Sequence, residues 1–266
     1  MLIPRLAAAL AALLIAPLTA LAGPEGAARI EVLRGWRTSE GTHMAALHIS
    51  LAEGWKTYWR APGEAGIPPV FNWSGSTNLA SVRVHWPSPH VFHQNGMTSI
   101  GYTRDLVLPI ELTPSRPGAP IALQGALEFG ICETICVPVT AKVAAELPPG
   151  RTGPDARIRG ALAQRPLSAV EAGAGTVTCA LSPTKDGLSV RAEVDLPDMG
   201  GNETAVIETG DPALWVSEAS VDRQGGRLAA TAEILPAGRG PVAVDRSALR
   251  LTVIGASGAV DLRGCG

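Results

Sequence analysis

Short apolar–polar alternations broken by glycine and proline run through this chain and leave little room for helices. Runs of this kind occupy residues 29–36, 44–51, 106–112, 121–129 and 137–146. A period of two places successive side chains on opposite faces, and such runs separated by turn residues read as an antiparallel sandwich. Pro109 and Pro138 fall inside two of them, which predicts edges or bends there. The sequence LPPGRTGP at residues 147–154 then interrupts the pattern as a linker. Residues 155–165 are the one convincing helix, started near Asp155 with Ile158, Ala161 and Leu162 on one face. Further runs at 176–181, 188–196, 204–209, 227–235 and 248–254 form a second strand-rich region. The predicted fold is all-β, with two β-sandwiches joined by a short linker carrying one helix.

The first residues set the compartment. A single positive charge at Arg5, an apolar run over residues 6–18 and the small-residue pattern Ala20-Leu21-Ala22 form a secretory leader. Cleavage is expected before Gly23. The run contains Pro17 and falls short of the roughly 20 apolar residues of a membrane span. No later stretch is apolar enough to cross a bilayer, so the mature chain is expected to be soluble. The expected organisation is a signal peptide at 1–22, a first sandwich at 23–148, a linker with helix at 149–174, and a second sandwich at 175–266. The chain carries 24 acidic against 22 basic residues, one of the latter being Arg5 in the leader. Neither sign dominates, which argues against nucleic acid or an anionic membrane as partner. All five histidines and ten of the eleven aromatic residues precede position 130, with Trp215 the exception. Functional surface is therefore expected on the first sandwich, although Trp55 and Trp73 read best as core.

Four cysteines in an exported chain are disulfide candidates, and the sequence permits three pairings. Spacing favours Cys132 with Cys136, and Cys179 with Cys265. In one straight strand Cys132 and Cys136 stand ~13 Å apart, against the ~7 Å limit for a disulfide. A bond therefore needs the chain to double back over Glu133, Thr134 and Ile135, as a tight hairpin or one helical turn. Closing so small a ring removes little unfolded-state entropy, so the bridge is a weak staple and suited to exchange. Cys179 and Cys265 lie 86 positions apart. A bond between them closes a long loop, worth roughly 4–5 kcal/mol in the chain-entropy model, and reads as structural.

The sequences GWKTYWRAPGEAGIPP at 54–69, WPSP at 86–89, GY at 101–102 and CETICVP at 132–138 occur in that order. Together they resemble the periplasmic N-terminal domain of DsbD-type disulfide reductases, in the branch of the copper-sensitivity suppressors. The resemblance spans about residues 30–146, and the second sandwich is similar to that branch's companion domain. It implies an immunoglobulin-like fold, a periplasmic location and a redox-active Cys132–Cys136 pair. Electrons are then expected from a membrane electron conduit or thioredoxin-like protein and pass to a periplasmic disulfide-bearing protein. By analogy Cys136 forms the mixed disulfide and Cys132 resolves it. The resemblance also implies a cap, placed here at residues 93–102, with Met97 or Tyr102 over the sulfurs. Tyr58, Trp59 and Tyr102 are candidate walls of the site. The chain ends soon after Cys265, so the membrane and thioredoxin-like modules of such reductases are expected as separate polypeptides, or the protein works differently. No cofactor or resident metal is called for, and the protein is expected to act as a monomer.

Two other readings compete with redox carriage. One is a copper-binding, copper-tolerance module using Cys132 and Cys136 with some of His90, His93 and Met97, since thiolates suit Cu(I). The other is a non-enzymatic structural sandwich in which both disulfides are inert.

Overall fold

Period-two alternation becomes twenty strands in the computed structural model, which describes residues 20–22, 26–94, 96–150, 153–238, 240 and 242–266. The leader expected over residues 1–22 lies outside the described residues except for 20–22. In chain order the first half carries β1 (Ala20–Ala22), β2 (Ala28–Arg37), β3 (His43–Leu51), β4 (Lys56–Tyr58), β5 (Val70–Asn72) and β6 (Ser81–Val84). It continues with β7 (His90–Gln94), β8 (Met97–Thr103), β9 (Asp105–Thr113), β10 (Ile121–Cys132) and β11 (Cys136–Leu147). One sheet runs β1-β2-β3-β9-β6 and the facing sheet β11-β10-β4-β8-β7, with β5 alongside β10. Their inner faces share a core that includes Leu47, Trp59, Leu108, Leu127 and Ile131.

Then follow α1 (Ala156–Ala163), β12 (Leu167–Ser168), α2 (Ala169–Ala172), β13 (Thr178–Pro183), β14 (Leu188–Asp195) and β15 (Thr204–Glu208). The chain closes with β16 (Leu214–Val216), β17 (Ser220–Gln224), β18 (Arg227–Pro236), β19 (Arg250–Gly255) and β20 (Gly258–Arg263). These strands form a sheet β12-β20-β19-β15 facing a sheet β13-β14-β18-β16, with β17 on β18. A second core, with Val190, Leu228, Ile234 and Val253, fills the space between them. The architecture is all-β and immunoglobulin-like.

The cores of the two sandwiches are in contact. Ile254 and Ala259, from β19 and β20, are buried against the first core, with Val206 of β15 packed beside them. The segment between the sandwiches is docked as well. Asp155 caps α1 by accepting from the amides of Arg157 and Ile158, as an N-cap carboxylate does. Ile158 of α1 is buried with Leu33, Met44 and Ala46, on the outer face of the first sheet. A second helical turn, α2, was not apparent from periodicity because four residues hold no period. Its sequence signal is the reciprocal capping box of Ser168 and Glu171.

The prolines separate into two cases. Pro138 lies in β11, the edge of its sheet, where a missing N–H costs no ladder bond. Pro109 lies in β9, an interior strand between β3 and β6, contrary to the edge or bend expected there. The Pro109 carbonyl accepts from the His85 amide at 2.9 Å, one residue beyond the last residue of β6. The absent N–H of Pro109 points to that same side, where β6 has ended, so the ladder to β3 stays intact.

Candidate functional site

β10 and β11 pair residue by residue from Ile121↔Leu147 to Cys132↔Cys136. Only Glu133, Thr134 and Ile135 turn the chain between them. This hairpin brings the two cysteine Cα atoms to 4.1 Å, and the sulfurs are bonded. The chain therefore doubles back as a strand reversal rather than as a helical turn. The two sulfurs stand in unlike surroundings. Cys132 is 3% exposed, whereas Cys136, on the same face of the hairpin, is exposed. Ile135, at the tip, is 76% exposed and places an apolar side chain beside Cys136.

β4 is inserted between β10 and β8, with Lys56 opposite Cys132 and Thr57 opposite Ile131. Period two sends Thr57 to the core, where Trp59 also lies, and leaves Lys56 and Tyr58 on the face that bears the cysteines. Two hydrogen bonds hold this short strand in place. The Thr57 hydroxyl donates to the Gly130 carbonyl at 2.8 Å, and the Trp59 amide donates to the Ile100 carbonyl at 2.9 Å.

The Tyr58 ring lies across β10 in a slot that glycines keep open. A Cβ at Gly130 falls 2.8 Å from the Tyr58 ring, and one at Gly66 falls 2.9 Å from it. Seated there, the Tyr58 hydroxyl reaches 3.0 Å from Cys136 Sγ. A disulfide sulfur carries no proton, so the phenol is the donor. Burial raises the Tyr58 pKa, which keeps that proton in place at neutral pH. The same proton favours a thiolate once the pair is reduced. Tyr58→Phe is expected to slow alkylation of reduced Cys136 by iodoacetamide at pH 7 by roughly three- to tenfold, a lost hydrogen bond's worth. The half-maximal pH of that reaction is expected to move up. An unchanged pH–rate profile rules this contact out as a determinant of reactivity.

The remaining candidates are distributed unevenly. Trp59 is fully buried in the core, on the opposite side of β4 from the sulfurs. Tyr102 is buried in the same core, where its hydroxyl donates to the Pro87 carbonyl at 2.8 Å. Desolvation pushes its pKa well above the ordinary value. Met97 is about half exposed at the start of β8. Residues 93–102, the candidate cap, belong to the β7–β8 hairpin, of which Asn95 lies outside the described residues. This hairpin is tied to the site strand by Lys56, which sequence reading passed over. Lys56 Nζ donates to Gln94 Oε1 at 3.0 Å and to Ser99 Oγ at 3.4 Å, and sits 5.4 Å from the centre of the Phe92 ring. Burial lowers its pKa. The available signal was the spacing of Lys56 and Tyr58 within GWKTYWR, which places both on one face of a strand. Cys179, in β13, and Cys265, just after β20, are bonded with Cα atoms 5.5 Å apart. Among the described residues no three His, Cys, Asp or Glu side chains converge as a metal site.

The first sandwich carries a cross-strand cysteine pair at a hairpin tip, one sulfur exposed and one buried, and its sequence is that of a thiol–disulfide interchange module. Residues 25–148 match the family described as "Thiol:disulfide interchange protein DsbD, N-terminal", and this part of the chain is a DsbD-type N-terminal domain. Domains of this family interact with thioredoxin-like proteins. Over 93% of its length the chain superposes on 98% of the crystal structure of the N-terminal periplasmic domain of ScsB from Proteus mirabilis. The TM-score is 0.68 at 22% sequence identity, which establishes a shared fold across both sandwiches. No curated protein sequence matches the chain. Among the described residues no helix is long and apolar enough to cross a membrane.

Proposed function

We propose that this protein is a periplasmic thiol–disulfide exchange protein that relays reducing equivalents through Cys132 and Cys136 to a disulfide-bearing periplasmic protein. The observation that carries the reading is the asymmetry of the pair: Cys136 is exposed and bonded by Tyr58, while Cys132 is buried behind it. In the reduced state the Cys136 thiolate attacks one sulfur of the substrate disulfide. A Cys136–substrate bond forms and the other substrate sulfur leaves as a thiolate, which takes a proton from water. The Cys132 thiolate then attacks Cys136 Sγ, re-forms the intramolecular bond and releases the second substrate thiolate. Two electrons leave the pair and two thiols appear on the substrate. A dithiol donor of thioredoxin-like type restores the pair by the reverse chemistry.

Exposed Ile135 beside Cys136 supports docking of such partners, because an apolar rim around a reactive sulfur aligns two thiol sites for in-line attack. The leader-like pattern of residues 1–22 and the family match of residues 25–148 support the periplasmic assignment. The Cys132–Cys136 couple is expected to equilibrate with glutathione or thioredoxin buffers, while Cys179–Cys265 stays oxidised. The measurement is alkylation of the purified protein across a series of redox buffers, read by mass spectrometry. A Cys132–Cys136 potential below about −300 mV, the range of structural disulfides, overturns the proposal.

A further inference from the structure

We infer that the second sandwich braces the redox site, with Glu208 and Thr252 acting through Arg60 as positioning residues for Tyr58 at Cys136. This inference rests on the redox reading above and assigns a task to the half of the chain that carries no exchanging cysteine.

Arg60 lies two residues beyond Tyr58, in the bend that follows β4. Its guanidinium leaves the first sandwich and forms a fork with Glu208 of β15. Arg60 Nε donates to Oε1 at 3.0 Å, and Nη2 donates to Oε2 at 2.8 Å. Nη2 also donates to Thr252 Oγ1 of β19 at 3.2 Å. The guanidinium carbon lies 3.8 Å from the centre of the Trp59 ring, so the charge is stacked on the core as well as paired. The two partners are 13% and 24% exposed, so water does little to screen them. Arg250 and Asp261 lie alongside, bonded to each other, and keep the local charge balanced. Burial alone favours neutral Arg60, and Glu208 opposes that tendency. Without Glu208 a cation is left in a poorly hydrated position near Arg250, and the favourable response is to move out.

What Arg60 would carry with it is the wall of the Tyr58 slot. Residues 60–69 form no strand, and the next strand starts only at Val70. Within this loop Gly66 lies against the Tyr58 ring, and Ile67 packs over Gly130 on the same side. Arg60 is the root of the loop. At its other end of support, the Ile100 amide of β8 donates to the Pro62 carbonyl at 2.8 Å. The loop therefore has two faces: one seats Tyr58, and the other lines a cleft of about 780 Å³ against β15 and β16. The pairing of β4 with β10 and β8 fixes its backbone, whereas the seat of the Tyr58 ring is completed by Gly66 of the loop that Arg60 begins. The apolar contact of Ile254 and Ala259 with the first core holds Glu208 and Thr252 in place to bond Arg60.

The test is the pH dependence of iodoacetamide alkylation of reduced Cys136 in the full chain, for Glu208→Gln and Thr252→Val beside wild type and Tyr58→Phe. This readout needs no partner protein. Glu208→Gln is expected to raise the half-maximal pH and to slow the reaction at pH 7 about threefold, part of the Tyr58→Phe effect. Thr252→Val, which removes one bond, is expected to give a smaller change of the same sign. Combined with Tyr58→Phe, Glu208→Gln is expected to add nothing, because both act on one contact. Profiles that match wild type for both variants, whatever happens to the melting temperature, overturn the brace. So does a Glu208→Gln effect that adds in full to Tyr58→Phe. If Glu208→Gln does not fold, Thr252→Val alone decides. Failure of wild-type protein to exchange with thioredoxin sinks the redox reading separately, since the alkylation profile is measured without it.

Discussion

Cys132→Ser is expected to accumulate a covalent adduct with its partner through Cys136, whereas Cys136→Ser is expected to abolish exchange and trap nothing. The difference follows from exposure. Attack on or by a partner sulfur requires an in-line approach, and Cys136 alone offers one, at the outer side of the hairpin tip. Cys132 is 3% exposed, packed inside the same turn. With serine at 132 the mixed disulfide on Cys136 loses its internal nucleophile. It then persists until an outside thiol intervenes, which slows release by the effective concentration of a neighbouring group. Exchange of the double-cysteine protein should therefore exceed that of Cys132→Ser by at least about two orders of magnitude. Non-reducing electrophoresis with mass spectrometry of the captured species measures both results. Equal trapping by the two variants contradicts the assigned order of attack.

The second large effect concerns the other disulfide. Cys179→Ser with Cys265→Ser is expected to destabilise the chain by roughly 4–5 kcal/mol, from a loop spanning 86 positions. Removing Cys132–Cys136, with a separation of 4, is expected to cost about 2 kcal/mol on the same scale. Physical placement agrees with the size of the gap. Cys265 follows β20, and the Gly266 amide donates to the Val177 carbonyl just before β13, so the bridge pins the chain's end across two sheets. Cys132 and Cys136 are already held by a twelve-residue strand pairing. Denaturant unfolding of the two double variants, compared at equal slope, checks the ranking. A larger loss from the short bridge reverses it.

Much of the sandwich was legible because its long strands bury one face. β2, β9, β10 and β11 follow runs whose apolar residues largely alternate, whereas β3 is buried on both faces because α1 covers Met44 and Ala46. The strand that seats Tyr58 against the cysteines was not legible. β4 has three residues, too few to display a period, and its place between β10 and β8 is a long-range pairing that no local signal encodes. For the same reason an aromatic in the motif did not reveal which way it faced. Tyr58 and Trp59 are adjacent and chemically alike, yet one touches sulfur and the other fills the core. Tyr102 looked like a lid from its position in the sequence, and its even spacing with Ile100 instead places it inside. Arg60 could not be connected to Glu208 at all from the sequence, since 148 positions separate them.

The residue-by-residue register of β10 and β11 has one more consequence. Cys132 and Cys136 face each other as ladder partners, so cleaving their bond removes no backbone hydrogen bond and demands no new turn. Reduction is therefore expected to leave the outline of the hairpin nearly unchanged. A visiting protein is then expected to sense little change of shape, and the record of whether electrons are aboard to lie in the exposed sulfur of Cys136 and the proton that Tyr58 offers it.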